Sequence, residues 1–136
     1  MKRNITLYSG TTQQSSEEHI SIENIDNVVQ FSVDNMFCDC LESIDEKIAG
    51  IVLQKMLDKI RPEGYLYLHI LDIKTLCVDV LQNHIAFSEF LSMLQNKYNI
   101  VTLDVVSSNI DFNKFQITKL VNDKYRIEII IKRTMV

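Results

Sequence analysis

The segment of residues 65–71, with the sequence YLYLHIL, restricts the fold more than any other part of the chain. It is apolar apart from His69 and is bounded by Gly64 and Asp72. A short run this apolar is typical of a strand covered on both faces, because a strand with one solvated face alternates polar and apolar residues. Such strands belong to the parallel sheets of α/β proteins. We therefore predict an α/β domain with this segment as its central strand.

Helices are predicted before and after this strand. Ser43 and Glu46 have the spacing of a capping box, in which a serine and a glutamate satisfy free amides at a helix start. Apolar residues then recur at helical spacing through residues 44–60. The same spacing returns over residues 73–84 and 87–94. The pattern predicts one helix before the strand and two helical pieces after it.

Strand periodicity covers much of the remaining chain. The sequence predicts further strands over residues 4–7, 19–22, 28–33, 36–41, 99–106, 114–121 and 124–132. The third and fourth of these are separated by too few residues for the crossover helix that parallel neighbours normally need. Asn122 and Asp123 lie between the last two and favour a hairpin turn. The tail is therefore expected to end in an antiparallel hairpin.

Composition limits the classes of protein to which the chain can belong. With 136 residues, 46% of them hydrophobic, it can bury one core, so a single domain over residues 1–136 is expected. Its 14 basic and 18 acidic residues give a net charge of −4 without a basic stripe, which argues against nucleic-acid binding. No apolar run has the length of a membrane span or a signal peptide, so we expect a cytoplasmic protein without membrane contact. The richness in isoleucine, asparagine and lysine is typical of an AT-rich viral or bacterial genome.

Candidate catalytic and metal-binding side chains are few. Cys38, Cys40 and Cys77 are odd in number and lie in apolar segments, which favours free thiols over a disulfide or a metal site. His69 is either a satisfied histidine of the core or sheet edge or a catalytic base, and the first interpretation is favoured because the sequence assigns it no partner acid. Four aromatic residues fall at core spacing and are interpreted as packing residues: Tyr65, Tyr67, Phe87 and Phe90.

Two motifs resemble those of class I S-adenosylmethionine (SAM)-dependent methyltransferases. Residues 41–44 (LESI) precede a predicted helix, as an "LEH" element does in that family. Residues 59–68 (KIRPEGYLYL) resemble the family's "LKPGG" element and the apolar strand that follows it. Asp72 then stands where small members often carry "PD". The resemblance implies that these segments form the fourth-strand to fifth-strand unit of a Rossmann-like sheet.

The same resemblance implies a cofactor site. Residues 5–10 are similar to the family's first strand and its "GxG" turn, whose amides hold the methionine part of SAM. Residues 20–23 are similar to the second strand, which closes on an acid that accepts hydrogen bonds from the ribose. The cofactor-binding residues implied in this way are Ser9, Gly10, Thr11, Glu23 and Asp39. Two alternatives stay open: an ordinary solvated acid for Glu23, and a helix cap for Asp39.

Departures from the family pattern define the functional hypotheses. Tyr8 replaces the first glycine of the expected turn, and residues 23–41 leave little room for a third strand and an adenine-binding loop. The fold implied is a methyltransferase-type sheet, mostly parallel, with an abbreviated N-terminal half and a C-terminal antiparallel pair from residues 100–106 and 125–132. The function implied is that of a SAM-dependent methyltransferase-like protein with a reduced cofactor site and unknown catalytic residues. The alternative is a non-catalytic assembly protein that contacts a protein partner or a second copy of itself.

Overall fold

The computed structural model describes residues 2–8, 18–95, 97 and 99–135, and they form one mixed sheet with helices. The strands are β1 (Asn4–Tyr8), β2 (Glu18–Ser21), β3 (Val33–Cys38), β4 (Ile60–Leu71), β5 (Phe115–Asp123) and β6 (Arg126–Arg133). The α-helices are α1 (Glu46–Lys59), α2 (Ile73–Leu81), α3 (Phe87–Met93) and α4 (Leu103–Ser108). Two 3₁₀ segments, Ile22–Asn27 and Leu41–Ser43, complete the architecture. Among the described helices, none is long and apolar enough to cross a lipid bilayer.

The six strands lie in the order β2-β1-β3-β4-β6-β5. Neighbouring strands among β2, β1, β3 and β4 pair in parallel. Strand β6 pairs antiparallel with both β4 and β5. This order confirms the predicted α/β sheet, mostly parallel and completed by a C-terminal antiparallel hairpin. It also makes β4 a central strand, as predicted from its apolar sequence.

One face of the sheet carries the hydrophobic core. Leu7, Cys38, Leu68 and Ile129 are cross-strand neighbours in β1, β3, β4 and β6, and all four are buried. Helix α1 packs on this face and contributes further buried side chains: Ala49, Leu53, Met56 and Leu57. The alternation along each strand therefore directs one set of side chains into a single apolar layer.

The second face of the sheet is different, and the expectation that β4 is covered on both faces is wrong. Phe37, Tyr65, Tyr67 and Ile130 point to this side; Phe37 is 37% exposed and the other three are half-buried. Within the described residues, no strand side chain on this side belongs to the core cluster. Tyrosine is counted as apolar in a sequence pattern, but its polar hydroxyl allows the side chain to lie at a solvent-exposed surface. We call these four residues the open face.

The segment between β2 and β3 also departs from expectation. Residues 28–33 and 36–41 do not form two strands, because β3 is a single strand and Leu41 begins a 3₁₀ turn. Phe31 has a φ of 58°, and the amides of Phe31 and Ser32 donate to carbonyls at the end of α1. These bonds draw the chain away from the sheet. The sheet accordingly ends at β2 in the described part of the chain, as an abbreviated N-terminal half predicts.

Helix α1 begins and ends close to the predicted positions, but with different chemistry. The capping residue is Asp45, whose carboxylate accepts the Lys47 amide at 2.9 Å, rather than Ser43. After Lys59 the chain enters β4 directly and bends at Glu63, where φ is 69°. A Cβ on Gly64 would lie 2.9 Å from backbone oxygens of both Arg61 and Asp34, so only glycine lets β4 pass this close to β3.

The C-terminal third contains one wrong prediction and one shifted turn. Residues 99–106 do not form a strand, because Thr102 caps α4 by accepting the Val105 amide, and Val106 is buried beneath the helix. The antiparallel pair is therefore β5 with β6, and not the segments 100–106 and 125–132. Its turn is formed by Lys124 and Tyr125 rather than by Asn122 and Asp123. Helices α2 and α3 confirm the two predicted helical pieces.

Candidate functional site

The carboxyl edge of the parallel strands is the region that the topology marks for ligand binding. From β1 the chain moves to β2 on one side, and from β2 it returns to β3 on the other side of β1. The strand order therefore reverses between β1 and β3. Open α/β sheets bind ligands in the crevice outside the carboxyl ends of the strands at such a point.

Two of the sequence-predicted site residues lie at this edge. Glu23 follows β2 and is exposed, and its carboxylate has no partner within the described residues. Asp39 follows β3 directly and is also exposed. Only β1 separates the two strands, so their ends are about 10 Å apart at the usual strand spacing. The fold thus brings both acids to one edge, while Ser9, Gly10 and Thr11 lie outside the described residues.

Asp39 does not cap a helix. The cap of α1 is Asp45, and the 3₁₀ turn Leu41–Ser43 has no side-chain cap. Instead, a carboxylate oxygen of Asp39 lies 3.6 Å from Nη2 of Arg126 at the start of β6. Cys38 and Cys40 flank it as buried free thiols with sulfurs 4.0 Å apart, and both this contact and burial raise the pKa of Cys40 far above its usual range. No cluster of three or more His, Cys, Asp or Glu side chains in the described ranges is arranged to hold a metal.

A cleft of about 390 Å³ opens beside Asp39, between the carboxyl ends of β3 and β4, the end of α3 and the β5–β6 turn. We call it the edge cleft. Its apolar lining consists of Ile70, Leu71 and Met93 together with the ring of Tyr125. Its charged and polar lining consists of Asp39, Glu42, His69, Lys97, Lys124 and Arg126. The volume is in the range of small-molecule sites.

Glu42 closes the inner end of the edge cleft. It is only 2% exposed, and both carboxylate oxygens accept the Leu71 amide at 3.2 Å. Nζ of Lys97 donates to the same carboxylate at 3.0 Å. A buried carboxylate needs such partners, because removing an ion from water costs several kcal/mol. Glu42 is therefore fully engaged in holding the end of β4.

His69 is held in one tautomer by its two neighbours. It is paired across the strands with Glu128, and its Nε2 lies 2.5 Å from a carboxylate oxygen of that residue. Its Nδ1 lies 2.9 Å from Nη2 of Arg126. A guanidinium can only donate, so Nδ1 accepts and the ring proton is on Nε2, which donates to Glu128. The histidine thus has the partner acid that the sequence did not assign, supplied by the register of β4 with β6.

Tyr125 forms the wall of the edge cleft and connects the hairpin to α2. Its hydroxyl donates to Asp79 at 2.6 Å, and the other oxygen of Asp79 lies 3.4 Å from Nδ1 of His84. The hydrogen bond to the carboxylate raises the pKa of Tyr125 to about 12. The same bond, with help from His84, lowers the pKa of Asp79. The hydroxyl proton of Tyr125 is therefore already used in the hydrogen bond to Asp79.

Comparison with known proteins identifies the fold. No protein-family model and no curated protein matches the sequence. Among solved structures, a SAM-dependent methyltransferase from Archaeoglobus fulgidus is similar with a TM-score of 0.65 and 8% identity, over 97% of this chain and 86% of that one. An O-methyltransferase family protein from Burkholderia thailandensis gives a TM-score of 0.62 and 13% identity, over 88% of this chain and 36% of that one.

A SAM-dependent methyltransferase from Anabaena variabilis matches over 89% of this chain and 60% of that one, with a TM-score of 0.57 and 14% identity. Several similar structures are much longer proteins, of which this chain spans between 36% and 60% of the length. Identities this low carry no information about activity, but the spatial match extends over most of the chain. The chain has the fold of class I SAM-dependent methyltransferases.

Proposed function

We propose that this chain is a methyltransferase-like protein that binds SAM at the carboxyl edge through Glu23, with a reduced cofactor site. The observation that carries the proposal is the exposed carboxylate of Glu23, two residues after β2, for which no described residue is a partner. Adjacent ribose hydroxyls are two donors, and a carboxylate in this position of a doubly wound sheet accepts both. The acceptor carboxylate at this edge therefore fits the ribose hydroxyls of the cofactor's nucleoside part.

The remaining residues of the edge support a role in binding and orientation. When bound, SAM supplies a methyl group on a positively charged sulfur. Asp39 is a second exposed acid at the point where the strand order reverses, and there it pairs with Arg126. Tyr8 ends β1 where glycine would allow a closer approach of the backbone, and this is the sense in which the site is reduced. Fixing the ligand in place is the main contribution that such residues make.

The proposal is tested by titration calorimetry and thermal shift with SAM and with S-adenosylhomocysteine. Glu23→Ala should weaken binding of both by about tenfold or more, because hydrogen bonds to a charged acceptor are lost. Asp26→Ala is the matched control, since it removes the same charge from the same 3₁₀ segment, where Asp26 pairs with Lys55. Binding that is equal in both variants would refute the role of Glu23. No heat and no shift at millimolar ligand would refute the proposal itself.

A second candidate function is assembly without catalysis, and the open face is the observation that favours it. Phe37 and Tyr67 stack with ring centroids 4.8 Å apart on this face, and Phe37 remains 37% exposed. Apolar and aromatic surface of this kind is typical of protein interfaces. Sedimentation analysis should then show a self-associated species that Phe37→Asp dissociates. A chain that is monomeric at all concentrations would exclude self-assembly as its function.

A further inference from the structure

We infer that the edge cleft binds a small molecule with a carboxylate on an apolar body, anchored by Arg126. As the acceptor side of the edge, this site rests on the proposed function, although the binding itself requires no cofactor. The inference depends on three properties of the cleft: its charge, the orientation of Arg126, and the lack of a free base.

The charge of the cleft is opposite to that of the chain. The whole sequence carries a net charge of −4, whereas three cations and two acids line the edge cleft. Lys97 is neutralised by Glu42, and Asp39 pairs with Arg126. Lys124 has no ion-pair or hydrogen-bond partner in the described part of the chain, so one positive charge is left over. A cleft with surplus positive charge in an acidic protein concentrates anions.

Arg126 is oriented before any ligand arrives. Glu128 fixes the ring of His69, and His69 accepts from Nη2 of Arg126 at 2.9 Å. This chain of bonds leaves the Nε and Nη1 groups of Arg126 without a partner among the described residues. Both two-donor edges of a guanidinium include Nη2, so the free Nε and Nη1 groups act as separate donors, and a carboxylate oxygen can accept a charge-assisted hydrogen bond from either one. His69 and Glu128 are therefore positioning residues for Arg126.

The committed hydrogen bonds of the cleft indicate what kind of polar group is bound. Both nitrogens of His69 are engaged, and the hydroxyl of Tyr125 already donates to Asp79. Glu42 is occupied by Leu71 and Lys97. Within the described lining, no histidine, tyrosine or buried acid is free to remove a proton from a neutral ligand. A carboxylate needs no such base, because with a pKa of about 4 it is ionised at neutral pH.

The rest of the lining selects the body of the ligand. Ile70, Leu71, Met93 and the ring of Tyr125 form apolar walls, and a volume of about 390 Å³ is near the lower end of the roughly 300–1,000 Å³ usual for ligand sites. The walls exclude a highly charged ligand such as a polyphosphate, which would leave most of its charge without partners. The combination fits an aryl or alkyl carboxylate of modest size.

The test uses 3-phenylpropanoate as the probe and the uncharged 3-phenylpropanamide as its matched control. Binding to the full chain is followed by ligand titration with two-dimensional amide NMR, in the absence of SAM. We expect shifts at Leu71, Met93 and Arg126 with the carboxylate and an affinity about tenfold or more weaker for the amide. Equal binding of the two probes would overturn the inference, as would shifts confined to other parts of the chain.

Substitutions distinguish a specific contact of Arg126 with the ligand from a general effect of positive charge on binding. Arg126→Gln should lose about tenfold or more in affinity, and Arg126→Lys should recover only part of it, because lysine is a point charge. Lys132→Gln, the same charge change at the opposite end of β6 beside Glu63, should leave binding unchanged. Equal losses in Arg126→Gln and Lys132→Gln would overturn the inference. Should Arg126→Gln fail to fold, Arg126→Lys and the two probes on the unmodified chain decide.

The positioning role of His69 has its own readout. Imidazole ¹⁵N shifts should show Nδ1 as the unprotonated nitrogen in the unmodified chain, and Arg126→Gln should release that tautomer preference.

Failure of this inference is distinguishable from failure of the proposed function, because SAM binding is measured in Arg126→Gln and probe binding in Glu23→Ala. Probe binding without SAM binding supports the inference and refutes the proposed function. SAM binding without probe binding supports the proposed function and refutes the inference.

Discussion

The two faces of the sheet differ most clearly along β4, where they are built from alternate residues of one strand. On one face Leu66, Leu68 and Ile70 are buried beneath α1, and on the other Tyr65 and Tyr67 remain half-exposed. Nearly all the apolar burial that stabilises this fold therefore lies on one side. The difference teaches that changes on the core face test stability, whereas changes on the open face and at the carboxyl edge test interactions with other molecules.

The largest expected effect is that of Leu68→Ala. Leu68 has no exposed surface, and its removal leaves a cavity at the centre of the core. We expect a loss of about 2–5 kcal/mol in the free energy of unfolding, measured by urea denaturation. Tyr67→Ala on the adjacent, half-exposed position is the control and should cost less. Equal losses would mean that the two faces are buried alike.

Arg133→Met should have the next largest effect. Arg133 points to the core face and is 3% exposed; its guanidinium donates to the carbonyls of Leu57 and Ile60 at 3.1 and 3.3 Å and lies over the ring of Phe31. Methionine fills similar space but removes both of these hydrogen bonds, and the Leu57 carbonyl then keeps only the Ile60 amide as a donor. Thermal or urea unfolding should therefore report a loss of about 1–3 kcal/mol. Lys132→Met, on the other face, should change stability by much less, because its ion pair with Glu63 is at the surface. The reverse order would contradict the assignment of faces.

The stacked pair on the open face should contribute a smaller, measurable coupling. Phe37 and Tyr67 have an interplanar angle of 16°. A double-mutant cycle with Phe37→Ala and Tyr67→Ala should give a coupling energy of about 0.5–1.5 kcal/mol. Additive effects of the two substitutions would show that the rings do not interact in solution.

The smallest expected effect is a pH dependence at the edge. The pKa of Tyr125 is about 12 in the fold against 10 for free tyrosine, because its hydroxyl donates to Asp79. The bond therefore contributes stability below pH 10, and this contribution is lost between pH 10 and pH 12. Ultraviolet difference absorbance against Tyr125→Phe should show one late-titrating tyrosine. In Asp79→Asn that tyrosine should titrate near 10, and an unchanged titration would exclude Asp79 as the cause.

Local patterns were sufficient to predict the central part of the fold. The periodicities of α1, β4, α2 and the final hairpin are properties of neighbouring residues, so they can be read without knowing the tertiary structure. The wrong prediction at residues 99–106 has the opposite origin. Its β-branched residues favour a strand, but the cap at Thr102 and the burial of Val106 stabilise α4. Tertiary packing there outweighs intrinsic propensity.

The candidate site divides in the same way. The family resemblance implied Glu23 as an acid at the end of the second strand and Asp39 as an acid within a predicted strand, and the fold brings them to one edge. The pairing of His69 with Glu128 was not predictable, because it depends on the register between strands that are distant in the sequence. A one-residue change of that register would point Glu128 to the other face. Whether Glu23 binds the cofactor stays a prediction that ligand titration decides.

The position of β6 between β4 and β5 also has a consequence for how the protein is made. His69 and Glu128 are neighbours across the strands but lie 59 residues apart in the chain. A ribosome adds about 5–20 residues per second, so roughly 3–12 s pass between the synthesis of β4 and that of its antiparallel partner. During this interval one edge of the central strand has unpaired backbone groups, which can pair with another nascent chain. That edge is therefore open to pairing with another chain while the polypeptide is still being translated.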